Sequence, residues 1–226
     1  KFRERPFEDV LDEMAATDYK GLMLAEDNFY GHGKNSNERA RNLFKGMIDR
    51  GIHKDWLGFT ALNISQDAET LNYMAKSGCF GMLIGIESTN EAVLEKMNKR
   101  VNLKLGTDSY FDCIQKIHDA GLVVWGSVVF GADGDGKDSF KRMTEFILGN
   151  NIDILTFGIN CPFPKTQLYA RLDSEKRIFR KSYPDDWQYY DTAHVVHRFV
   201  DMKLEDFIEG MQYVYDNIYA NNNLRT

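Results

Sequence analysis

The sequence has 226 residues, 43% hydrophobic and 27% charged, the balance of a globular chain long enough for one large α/β domain. Its 34 Asp and Glu against 28 Lys and Arg leave a formal net charge of −6, which argues against a nucleic-acid footprint. No apolar run approaches the roughly 20 residues of a membrane span and no signal peptide is visible. The three cysteines, Cys79, Cys113 and Cys161, have neither disulfide nor metal spacing and fit a reducing cytoplasm.

Residues 6–16 read as a helix, with Pro6 in its first turn and Phe7, Val10, Leu11 and Met14 on one face. The short apolar run 21–25 has the signature of a buried parallel strand. A helix follows over 37–50, a strand over 56–64, and a helix over 68–76 opened by the cap Asp67. Residues 80–86 read as a strand, 91–97 and 108–120 as helices, and 122–130 as a long β-branched strand. Residues 139–148 read as a helix and 154–159 as a last strand. After Pro162 the rhythm breaks: residues 162–201 read as irregular and aromatic, with Tyr183, Trp187, Tyr189 and Tyr190. An amphipathic helix over 204–219 closes the chain, and the tail NNNLRT is expected to fray.

Strands separated by helical sequence mean a parallel sheet, either a barrel or a doubly wound layer. Ligands of such folds bind at the carboxyl ends of the strands, so the residues found there carry the functional reading. The first strand ends in Glu26-Asp27-Asn28, the second at Asn63, the third at Glu87-Ser88, the fourth near Ser127 and Gly131, and the fifth in Asn160-Cys161. A carboxylate can accept both hydroxyls of a vicinal diol, and Lys99 can hold a carboxylate. The plainer alternative stays open: Glu87 as an acid at the start of the helix 91–97, with Lys99 and Arg100 as cations at its end.

Several stretches, in order along the chain, resemble the radical S-adenosylmethionine (SAM) enzymes, in the group associated with cobalamin-binding domains. They are EDNF at Glu26 to Phe29, the segment from Asp67 to Cys79, IGIES at Ile84 to Ser88 followed by VLEKMNKR, VVFGADGDGKDSF at Val128 to Phe140, and PFPKTQLYARL at Pro162 to Leu172. The resemblance implies a partial (β/α)6 TIM-like barrel lacking its first strand, over residues 1–161, with a C-terminal aromatic and helical extension over 162–226. It implies that Glu87 takes the SAM ribose hydroxyls, Lys99 the methionine carboxylate, and Ser127 the ribose. The turn Glu26, Asp27, Asn28 would lie near the methionine amino group.

Three departures stand out: Glu26 for the usual Asp, Ala132-Asp133 where Pro often follows the strand glycine, and Lys165 where Gly is usual. The family's [4Fe–4S] cluster needs a Cys-x3-Cys-x2-Cys loop that has no counterpart here, so its ligands are expected upstream of Lys1 and no metal ligand is expected in this chain. The implied activity is reductive cleavage of SAM to start radical chemistry on a small organic substrate, such as methyl transfer or cyclisation. Cobalamin assists in some members, and a ferredoxin or flavodoxin is the implied reductant. The fragment alone is then expected to be inactive and, with the strand 21–25 as an open apolar edge, poorly soluble. Against this stand a non-catalytic SAM- or nucleotide-binding or structural barrel, and a cluster-free lyase, for which no lysine or metal triad is found at the strand ends. Two local motifs have bland and sharp readings: Asp133 to Asp138 as an acidic loop or a calcium loop, and His194-x-x-His197 as packed histidines or metal ligands.

Overall fold

The computed structural model describes residues 5–31 and 33–220; the expected fraying of NNNLRT lies outside the described residues. The alternation is realised as α1 (Phe7–Ala16), β1 (Gly21–Leu24), α2 (Lys34–Asp49), β2 (Asp55–Thr60), α3 (Ala68–Lys76), β3 (Cys79–Glu87), α4 (Glu91–Lys96), α5 (Arg100–Leu105), α6 (Tyr110–Asp119), β4 (Val123–Phe130), α7 (Lys137–Gly149), β5 (Ile154–Ile159), α8 (Gln167–Ser174) and α9 (Leu204–Tyr215). The five strands form one parallel sheet in the order β1-β2-β3-β4-β5. A doubly wound layer reverses its strand order at a switch point, whereas unbroken sequential order with helical crossovers is barrel winding. That decides between the two architectures the pattern allowed.

Differences from the expected elements have local causes. The second strand stops at Thr60 because Leu62–Gln66 closes into a 3₁₀ turn, with the Ile64 N–H donating to the Ala61 carbonyl at 3.1 Å. The six-residue α5 is too short to show a helical period. Helix α8 sits inside the segment read as irregular, although its cap was visible: the Thr166 hydroxyl accepts from the Tyr169 N–H at 3.2 Å.

The described residues fold as two compact units, one within residues 5–86 with 104–126, the other within 87–103 with 127–220. In the first, β1 pairs with β2 and β2 with β3, both parallel. Its core is Trp56, stacked on Phe44 at 4.8 Å between centroids, with Phe29 edge-on to both. Each such ring contributes roughly 2–3 kcal/mol by burial. The indole N–H donates to the Ser77 carbonyl at 3.1 Å, so the buried Trp leaves no polar atom unpaired. Gly78 closes this corner with φ of +93°, and a Cβ there would lie 2.1 Å from the Lys54 carbonyl oxygen. Only glycine fits.

In the second unit the aromatic core runs from β4 to the C-terminal helix. Phe130 stacks on Phe140 at 4.9 Å, Phe140 meets Phe207 edge-on at 5.6 Å, and Phe207 stacks on Phe199 at 4.5 Å. Thus β4, α7, α9 and the segment after Pro162 share one core. Among the described residues no helix is long and apolar enough to cross a membrane.

Candidate functional site

Strand β3 is apolar up to its last residue, and Glu87 ends it in a left-handed backbone conformation, φ +65°, while only 9% exposed. A side chain with a Cβ resists that region by about 1–2 kcal/mol, so the conformation needs support from its surroundings. Helix capping is not that support. The α4 cap is Asn90, whose Oδ1 accepts from the Ala92 N–H at 3.0 Å. Glu87 Oε1 instead accepts from Lys99 Nζ at 2.5 Å.

Lys99 is aimed by the way α4 ends. Asn98 takes φ of +56°, its N–H donates to the Glu95 carbonyl at 2.9 Å, and the Lys99 N–H reaches back to the Leu94 carbonyl at 2.9 Å. This is a Schellman closure with Asn in the left-handed position. It turns the chain so that Lys99 falls between α4 and α5 rather than in a final helical turn. Arg100 opens α5 and bonds Asn98 Oδ1 at 3.0 Å. The asparagine of KMNKR is the one local sequence signal for this closure.

Ser127, half-buried on β4, has no hydroxyl partner among the described residues. The loop after β4 is held from inside. Asp135, 3% exposed, accepts the N–H groups of Gly131 and Ala132 at 3.0 and 3.1 Å, and burial raises its pKa. Asp133 is bound by Arg177 through both oxygens, at 2.6 and 3.0 Å, and by Arg171 at 2.5 Å. Burial would raise the Asp133 pKa, but the two guanidiniums outweigh it and bring it down to about 2. The acidic motif is therefore a braced turn. No group of three His, Cys, Asp or Glu placed for a metal ion occurs among the described residues. His194 pairs with Asp191 at 2.8 Å, while the buried His197 sets Nε2 against the Asn160 carbonyl oxygen at 2.8 Å, so the two histidines serve different partners. Arg177 had no local signal in the sequence, since its partner Asp133 lies 44 residues earlier.

In the first unit, Glu26 pairs with Arg39 at 3.5 Å, Asp27 is exposed without a partner among the described residues, and Asn28 Oδ1 accepts the Tyr30 N–H at 3.2 Å. The turn is anchored by Tyr30, whose hydroxyl donates to Asp67 at 2.9 Å; Asp67 also takes Arg41 at 2.7 Å and the Thr70 N–H at 3.0 Å. Asp67 is thus both the expected helix cap and the anchor of the Glu26–Asn28 turn. Asn63 lies beyond β2, with its buried Oδ1 unpartnered and its amide against Gly31.

No family model matches the chain. It is 31% identical over 223 residues to a bacteriochlorophyllide d C-12(1)-methyltransferase of Chlorobaculum tepidum, covering 95% of this chain and 46% of that protein. It is 30% identical over 139 residues to a bacteriochlorophyllide d C-8(2)-methyltransferase of the same organism, covering 61% of this chain and 29% of that protein. The chain therefore spans less than half the length of these relatives. Among solved structures, the radical S-adenosylmethionine methyltransferase TsrM of Kitasatospora setae, with cobalamin and a [4Fe–4S] cluster bound, superposes with a TM-score of 0.67 at 15% identity. The match covers 80% of this chain and 36% of that one.

Proposed function

Because the chain belongs to the radical S-adenosylmethionine enzymes, we propose that it forms the SAM-holding part of a methyltransferase acting on a carbon of a small organic molecule. The observation that carries this reading is the Glu87–Lys99 pair, one charge held at a strained strand end and the other aimed at it by a Schellman turn. SAM offers such a pair complementary groups: a ribose diol for the carboxylate and a methionine carboxylate for the ammonium. Ser127, with an uncommitted hydroxyl, is a second candidate for the ribose. The role of Glu26, Asp27 and Asn28 toward the methionine amino group rests on the resemblance alone.

Bound SAM supplies an electrophilic methyl group and, when reduced, a 5′-deoxyadenosyl radical. The chain's share is to bind and orient it. The cysteines do not fit an iron–sulfur cluster: Cys79 and Cys113 are buried, and burial pushes the Cys79 thiol up to about 12. Cys79, Cys113 and Cys161 lie far apart in sequence, and no three ligands gather for a metal among the described residues.

The activities of these relatives point to a tetrapyrrole as the first substrate to try. The test is anaerobic incubation of the full-length gene product that contains this chain, reconstituted with iron and sulfide, with [methyl-14C]SAM, a reductant and bacteriochlorophyllide d. Label is expected in the pigment. Label that stays in SAM, with no S-adenosylhomocysteine formed, would refute the methyltransferase reading.

A further inference from the structure

A second feature of the second unit lies beside the residues just described. Residues of the α4 end, the β4–α7 loop and the start of α8 enclose a cavity of about 520 Å³. Its charged lining is Lys96, Asp133 and Arg171; its apolar lining includes Met97, Ala132 and Leu168. The acid is already spent, since both Asp133 oxygens are taken by Arg177 and Arg171. The cations are not. Arg171 commits only Nη1, to Asp133 and Glu175, leaving Nε and Nη2 without partners among the described residues. Lys96 makes no ion pair among the described residues, and its ammonium reaches over the loop, 3.5 Å from where a Cβ on Gly134 would lie.

Helix α8 points its first turn at the same cavity, with Thr166, Gln167 and Leu168 in the lining. The N–H groups of Gln167 and Leu168 have no intrahelical acceptor, which adds donors on the cation side. The turn that delivers them is held at Lys165 with φ of +69°, the conformation a glycine there would favour, so the departure from the family pattern keeps the turn at some cost.

We propose that this cavity receives the carboxylate of an otherwise apolar substrate, gripped by the free fork of Arg171 and by Lys96, with its hydrocarbon body against Met97, Ala132 and Leu168. A planar fork with two open N–H donors matches a carboxylate, and the apolar wall disfavours a multiply charged phosphate. The inference deepens the proposed methyltransferase reading and rests on it.

The test compares bacteriochlorophyllide d with its methyl ester, titrated into the protein by pigment absorbance, with SAM titrated in parallel. The wild type should prefer the free acid by about tenfold or more. Lys96→Met together with Arg171→Met should bring the preference below about threefold. Arg177 still holds Asp133 in that variant, so the loop keeps its brace. Equal affinity for acid and ester, or no binding of either, overturns the inference, as does a preference that survives the double substitution. Absence of SAM binding alongside a clear acid preference would count against the SAM reading instead.

Discussion

Glu87 combines three things that stability alone does not explain together: a carboxylate, near-complete burial and a left-handed backbone. Asparagine tolerates the left-handed region better than glutamate. Glu87→Asn should therefore leave the unfolding free energy from urea titration within about 1 kcal/mol of wild type, while lowering SAM affinity at least about tenfold. A large loss of stability with SAM affinity intact would show the pair to be structural. Asp67 behaves in the opposite way. Burial would raise its pKa, but Thr70, Tyr30 and Arg41 outweigh that and hold it at about 2. A carboxyl whose folded pKa is depressed stabilises fully above its ordinary value near 4 and loses that contribution as pH falls toward 2. Asp67→Asn should cost roughly 2 kcal/mol at neutral pH and flatten the stability decline between about pH 4 and pH 2, as read by denaturation across that range. The sequence pattern shows the acid at the end of an apolar strand and the cation just past a short helix, which is what singles out Glu87 and Lys99 as candidates. Their mutual contact was not legible there, because it depends on the turn at Asn98.

The strands and longer helices were legible because apolar runs alternate with amphipathic ones throughout, and misses fell where an element was short or a turn overrode it. Helix α9 shows how packing sets identity beyond periodicity. Gly210 lies against Phe140 of α7 so closely that a Cβ would stand 2.3 Å from the ring. Alanine gains about 1 kcal/mol of helix propensity over glycine, but the clash with a fully buried ring is larger. Gly210→Ala should thus destabilise the second unit by about 1–3 kcal/mol. A raised melting temperature would mean that α9 slides away from α7 at little cost.

Over the whole chain, sequential strand order identifies barrel winding, and it also leaves β1 paired on one side only among the described residues. That strand, Gly-Leu-Met-Leu, has Met23 52% exposed, and an unpaired apolar edge is a template for another copy. The 226-residue chain should self-associate with rising concentration in sedimentation velocity; a single monomeric species throughout would contradict this. Strand order was beyond the reach of the sequence pattern, since local periodicity fixes elements and not their neighbours.

The most direct test of the central claim is calorimetric titration of SAM into the wild-type protein and into Glu87→Ala and Lys99→Ala. The predicted result is saturable one-to-one binding in the wild type, weakened at least about tenfold by either substitution. No binding by the wild type, or equal affinity in all three, would contradict the assignment of this pair to SAM.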